Sequence, residues 1–227
     1  MPAAKSWSAG PLWGTDPPFP TGSLGSAVAA IVAAVLLTTF GGCTDEARTL
    51  TVADCDAFPA ATWTQRDDSP GTFATDGEVK GYLATRESFG DAIVSVEYRF
   101  LPIDGELPGE DANTGLLLLI DGTDSVWPVC VEAQGKWAEM AELKSNGGLD
   151  TVEATVSSRQ RDAARRPVGS WNQLRTTIAD GRIRVRLNGV PVAESDTAGR
   201  TSGRIGVQSE RFPVEFRNWT VQPLGDD

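Results

Sequence analysis

The sequence predicts an all-β domain folded as a two-sheet antiparallel sandwich. Short runs rich in β-branched and aromatic residues recur between turn residues along most of the chain. Two hairpin signals in succession frame a strand of strict alternation, and one unbroken apolar run, GLLLLI, reads as a central strand covered on both faces.

Taken in chain order, residues 27–40 (AVAAIVAAVLLTTF) form an apolar stretch of fourteen residues. That is shorter than the roughly 20 residues that cross a bilayer core, and it suits the h-region of a signal peptide. Gly41-Gly42-Cys43 follows at once. Small residues before a cysteine, directly after an h-region, resemble the lipobox of bacterial lipoproteins, although Phe40 stands where an aliphatic residue is usual. The expectation is a leader over 1–42, lipidation of Cys43, a polar acidic tether over 43–57 and a folded domain over 58–227. A lipid-anchored location outside the cytoplasm follows from it.

Strand signals occupy 79–85, 92–101, 114–121, 126–134, 151–157 and 214–224. Val94, Val96, Tyr98 and Phe100 point one way while Ser95, Glu97 and Arg99 point the other; Val131 and Ala133 point inward while Cys130, Glu132 and Gln134 share the opposite face. Asp180-Gly181 and Asn188-Gly189 suit type I′ turns, which need positive φ at both central positions. Between them Ile183, Val185 and Leu187 alternate with Arg182, Arg184 and Arg186, which predicts a three-stranded meander with a charged outer face. Weak helical patterns occur at 136–144 and 158–166, and the segment 144–169 reads as a loop over the concave face or an insertion, its arginines solvated.

Composition excludes whole classes of function. The 227 residues include no histidine, so imidazole-activated nucleophiles, histidine-ligated zinc and a histidine proton shuttle are absent. Thirty-one acidic against twenty basic residues give a net charge of −11, which disfavours a nucleic-acid binder and favours a neutral ligand. Three cysteines are too few for a disulfide scaffold. Cys55 and Cys130 are the two that could pair. No cofactor motif is present; calcium at a sandwich edge is compatible with the fold class, but no residue pattern calls for it, and the Asp121-Gly122-Thr123-Asp124 turn lacks calcium-loop spacing.

The ordered segments DGEVKGYLATRESFGDAIVSVEYRF, NTGLLLLI, VWPVCVEAQG, RPVGSWNQLRTTIADGRIRVRLNGVPV and GRIGVQSERFPVEFRNWTVQPL resemble the bacterial 3-keto-disaccharide hydrolase domain family over about 63–224. The resemblance implies a concanavalin A-like jelly roll that is exported, often lipid-anchored, and acts on or binds carbohydrate. The chemistry it implies can dispense with histidine. In a sugar oxidised at C3 the C2 proton is acidified, a carboxylate can remove it, the C1 substituent leaves, and water adds back.

Glu132 is the expected base or ligand-binding carboxylate. Arg99 is the expected donor to the enolate-like oxygen, with Glu97, Gln134 and Asn172 as positioning groups, provided the strands bearing Glu97–Arg99 and Glu132–Gln134 are neighbours in the concave sheet. Trp137 is a candidate sugar platform. Two other readings stand beside this one: a monomeric carbohydrate-binding module without catalysis, and a retaining β-glucanase. The second is disfavoured because Gln134 replaces the central acid of E-x-D-x-x-E, and Trp137 or Ala138 stands where its last glutamate would be.

Overall fold

The structure is a computed structural model, and it describes residues 46–60 and 63–225. The expected leader and Cys43 lie outside the described residues, among which no helix is long and apolar enough to cross a membrane.

The described residues form fifteen strands: β1 (Arg48–Thr49), β2 (Cys55–Phe58), β3 (Trp63–Gln65), β4 (Phe73–Thr75), β5 (Gly81–Phe89), β6 (Ala92–Phe100), β7 (Gly115–Asp121), β8 (Val129–Gln134), β9 (Leu143–Asn146), β10 (Ala154–Val156), β11 (Asn172–Ala179), β12 (Arg182–Leu187), β13 (Val190–Ser195), β14 (Gly203–Ser209) and β15 (Val214–Pro223). A nine-stranded sheet runs β10-β13-β12-β11-β6-β15-β4-β3, with β1 also paired to β15; a six-stranded sheet runs β2-β5-β14-β7-β8-β9. Every pairing is antiparallel, and the two sheets make the expected jelly-roll sandwich. The fold reaches back into the segment expected as a tether: Arg48 and Thr49 pair with Val221 and Thr220, and Leu50 is fully buried.

Alternation decides what each sheet buries. Val94, Val96, Tyr98 and Phe100 enter the common core, as do Ile183, Val185 and Leu187. Asp180, Gly181, Asn188 and Gly189 all have positive φ, as the I′ turns require. At one end of the core Phe73 stacks on Phe216 at 5.4 Å, and fully buried Trp219 packs 5.8 Å from Phe73. β7 lies between β14 and β8, and its two faces go to different clusters: Leu116 and Leu118 to the common core, Leu117 and Ile120 to the outer face.

Two local expectations are corrected. Residues 136–144 form only a 3₁₀ turn at Trp137–Glu139 before entering β9. The segment 144–169 is neither an open loop nor an insertion: it holds β9, β10 and helix α1 (Ser158–Ala164), and it links the edge of one sheet to the edge of the other. Two of its arginines are not simply solvated, since Arg161 pairs with Glu142 and the Arg165 guanidinium lies 3.8 Å from the centre of the Trp137 ring.

Cys55 and Cys130 are both free and buried. Cys55 faces the common core from β2, whereas Cys130 faces outward from β8, four strands away. At about 4.8 Å per strand that separation is about 19 Å, far beyond the roughly 4.4–6.8 Å between the Cα atoms of a disulfide. Burial pushes each thiol up to about 12. Aromatic-disulfide titration of the Cys43→Ser protein is therefore expected to find no fast-reacting thiol in the native state and two after denaturation; a count of zero after denaturation would show that the pair is bonded.

Candidate functional site

The outer face of the six-stranded sheet carries the candidate site. The two-residue period of β8 turns Val131 and Ala133 into the core and sets Cys130, Glu132 and Gln134 on the other side. On β14 the same period buries Ile205 and Val207 in the core and turns Gln208 outward. Register aligns these strands through β7. Gly115 faces Gln134 and Leu117 faces Glu132, while Leu117 faces Gly206 on the other flank, so Gln208 lies beside Gly115. An isolated bridge then places Asn113 opposite Glu210.

Gly115 is required by this packing. A Cβ there would overlap the Glu132 carboxylate, so the missing side chain lets that group lie over β7. Glu132 is only 4% exposed. Its Oε2 accepts from Asn146 Nδ2 at 2.7 Å, while Oε1 is buried without a partner. Gln208 Oε1 and Asn113 Oδ1 are also buried and unpartnered, although the other end of Asn113 donates to Glu210 at 2.6 Å. Buried polar atoms are normally satisfied, and leaving one unmade costs about 1–3 kcal/mol. Three such oxygens on one face mark a place for hydrogen-bond donors from a ligand. Gln134 is oriented for the same purpose: its Oε1 accepts from the Lys136 N–H at 2.8 Å, which leaves its NH2 end as a donor.

Burial pushes the Glu132 carboxyl up to about 7; the Asn146 hydrogen bond opposes this and the charge of Glu210 reinforces it. Beside it the floor is apolar, made of Tyr82, Ala84, Leu117, Ile120 and Cys130 with Phe58 packed against them. The β7–β8 loop turns back across this floor. Asp124 accepts from the Tyr82 hydroxyl at 2.7 Å and pairs with Arg204, and the Trp127 ring, 42% exposed, lies 5.7 Å from Lys80 Nζ. Lys80 in turn approaches Glu210 at 3.9 Å. The result is a dry polar end around Glu132 beside a closed apolar cluster, with an exposed aromatic at the rim.

The structure separates the residues that the sequence grouped. Glu97 and Arg99 lie on β6, whose neighbours are β11 and β15 in the nine-stranded sheet, whereas β8 lies between β7 and β9 in the other. The two pairs project from opposite outer faces with the core between them, so Arg99 cannot serve a reaction at Glu132. Alternation fixes which residues of one strand share a face, but it does not say which strands meet. Asn172 is engaged within its own turn: its Oδ1 accepts from the Arg166 N–H at 2.9 Å and from Asn188 Nδ2 at 2.8 Å. Trp137 has Arg165 over its ring and donates from Nε1 to the Arg166 carbonyl at 2.9 Å, so the open aromatic is Trp127 instead. Asn113, Gly115, Asn146, Gln208 and Glu210 were not singled out from sequence. The alternation in GRIGVQSE does put Gln208 and Glu210 on one face, and that signal was available.

The sequence profile of the 3-keto-alpha-glucoside-1,2-lyase-like domain matches residues 54–222. Among solved structures, a provisionally named glycosyl hydrolase from Parabacteroides distasonis is similar with a TM-score of 0.57 at 18% identity, over 79% of this chain and 100% of that one. The carbohydrate-binding module CBM66 from Bacillus subtilis has a TM-score of 0.56 at 12% identity, over 74% and 95%. A Bacillus subtilis protein of unknown function with a galectin-like fold has a TM-score of 0.52 at 15% identity, over 75% and 90%. At these identities the likenesses establish the fold. No curated protein matches the chain.

The raised carboxyl has a consequence for stability. Its folded value, about 7, lies above the unfolded 4.5, so the native state holds a proton that the unfolded chain releases between those values. Stability therefore falls as pH rises from about 4.5 to 7 and then levels, by at most about 3 kcal/mol. Glu132→Gln removes this loss. Urea denaturation is expected to show the variant more stable than the parent by about 2–3 kcal/mol at pH 8 and equal to it near pH 4.5.

Proposed function

The chain belongs to the 3-keto-alpha-glucoside-1,2-lyase-like domain family, and from that premise we propose that it cleaves 3-keto-glycosides by elimination, with Glu132 as the base. The observation that carries this reading is the buried Glu132 carboxylate, tuned to about 7, with one oxygen unpartnered beside amide side chains on an apolar-floored face. A general base works best when its pKa lies near the operating pH.

In the proposed reaction Glu132 Oε1 takes the proton from C2, which lies next to the C3 carbonyl. The electron pair of the C2–H bond moves toward C3, and negative charge gathers on the C3 oxygen. The NH2 end of Gln134 and the amide of Gln208 are the donors supporting that oxygen, the role the sequence had given to Arg99. As the pair returns to form the C1–C2 double bond, the C1–O bond breaks and the aglycone leaves with its electrons. The proton that Glu132 took from C2 passes to the departing aglycone oxygen, directly or through water, which restores the carboxylate; addition of water across the C1–C2 double bond then completes net hydrolysis. Trp127 at the rim supplies a face on which a sugar ring can stack. The chain is carbohydrate-related by family, and the 3-keto substrate is taken from that family; the geometry supports the choice of base.

With a 3-keto-disaccharide as substrate, kcat/KM is expected to rise with pH through about 7 and to plateau above it, because the base must be ionised. Glu132→Gln is expected to lower kcat by at least about 100-fold. An inert parent that binds unoxidised glycans on this face would establish the binding module instead, and cleavage of unoxidised β-glucan would establish a retaining glucanase.

We also propose that the protein is exported and anchored through Cys43, a reading supported by the apolar stretch 27–40 and the Gly41-Gly42-Cys43 sequence. Labelled palmitate is expected to enter the parent expressed in a bacterial host and not the Cys43→Ser protein; equal labelling of both would remove the anchor from the account.

A further inference from the structure

A second carboxylate reaches the same stretch of β7 as Glu132. Glu210 directly follows β14, and its bridge to Asn113 continues the β14–β7 ladder on the face that carries Gln208. The two acids lean onto β7 from opposite sides. Glu132 comes from β8 and lies against Gly115, while Glu210 comes from the β14 side and accepts from Asn113 Nδ2 at 2.6 Å. Positions 113 and 115 share a face and are two residues apart, so at the strand rise the carboxyl groups are separated by about 7 Å along β7.

Their surroundings differ. Glu132 is 4% exposed, with Oε1 buried and unpartnered, whereas the Glu210 side chain is 15% exposed and within reach of water. Asn113 occupies Oε2 of Glu210, and the Lys80 ammonium stands 3.9 Å from Oε1, beyond hydrogen-bond length. A polar gap of that width suits an intervening water. Gln208, 3% exposed, and Asn113 each present a buried oxygen without a donor in the same stretch. The ground between the two carboxylates is therefore lined with acceptors that the protein leaves open.

The spacing has a chemical meaning. A base that takes a proton directly from a ring carbon lies about 3 Å from the proton's carrier, and one that acts at the neighbouring carbon through a water lies one molecule further away. Paired carboxyl groups that leave room for a water beside a sugar ring stand about 6.5–9.5 Å apart for the same reason. In the elimination assigned to Glu132, the water that adds at C1 still requires a base.

Resting on that elimination, we propose that Glu210 is the base of its second half and activates the water that adds at C1, which makes the protein a hydrolase rather than a lyase releasing an unsaturated sugar. As the water oxygen bonds to C1, Glu210 Oε1 takes one of its protons and the C1–C2 electron pair moves toward the C3 oxygen. The proton is relayed through water and Glu132 to C2, where the returning pair forms the C2–H bond. Both carboxylates end as they began.

The two halves can be assayed apart on the full chain, by supplying either a 3-keto-disaccharide or the 1,2-unsaturated 3-keto sugar itself and following the enone absorbance. The parent is expected to hydrate the supplied enone, and Glu210→Gln to do so at least about 100-fold more slowly. From the disaccharide, the same variant is expected to release mainly the unsaturated sugar where the parent releases the saturated one, a change of product that a merely structural role would not cause. Glu210→Asp, which keeps a carboxylate, is expected to recover part of the hydration. Enone hydration at the parent rate by correctly folded Glu210→Gln, equal loss in the Asp and Gln variants, or a parent no faster than buffer would overturn the proposal. Hydration of the enone by a parent that leaves the disaccharide intact would instead remove the elimination reading, and with it the hydrolase assignment.

Discussion

The β7 strand has water on neither side. Its inner residues Leu116 and Leu118 belong to the core between the sheets, and its outer residues Leu117 and Ile120 are buried in a cluster with Tyr82, whose hydroxyl donates to Asp124 of the β7–β8 loop. A sheet covered on both faces needs an apolar run through its middle, and GLLLLI supplies it. Everything beside β7 on the outer face inherits that dryness. A carboxylate from β8 in this position loses much of its hydration and is offered one amide in return. The raised pKa is therefore the electrostatic image of how the sheet is covered, rather than a property added to a finished fold.

Gly115 shows how closely packing and chemistry are tied. At the start of β7 the apolar run gives way to a residue without a side chain, and the Glu132 carboxylate occupies the space. Gln208 and Gln134 flank the same spot from β14 and β8. Oxygens left without partners there lower the stability of the free protein, a cost that a ligand or a transferred proton can offset. The opposite outer face works by another principle. There the carboxylates Glu97 and Glu215 pair with Arg217 and Arg99.

Much of the fold was legible in the sequence because it is local. Alternation in IVSVEYRF and RIRVRL fixed which side chains face the core, and Asp180-Gly181 and Asn188-Gly189 fixed the meander, since a turn demanding positive φ at two positions has few residue choices. Glu132 and Gln134 were correctly set on one face by the same parity. What could not be read was pairing between distant strands. Nothing in the residues of β6 and β8 says that they belong to different sheets, so Arg99 and Glu132 were assigned to one site. Asn113, Asn146 and Gln208 reach that site from three further segments, and only register brings them together. Trp127 could not be preferred over Trp137 from sequence for a similar reason: an aromatic in a turn looks the same whether its loop points to solvent or folds back over a sheet.

The proposed reaction depends on the state of one carboxyl group. Carbon-13 NMR of the full chain, with the Glu132 side-chain carboxyl assigned by comparison with Glu132→Gln, reads its titration directly. A midpoint near 7 is the result that burial over β7 demands. A midpoint near 4.5, the ordinary value for an exposed glutamate, would mean that water reaches the group freely, and that the outer face of the six-stranded sheet is not the dry, tuned site described.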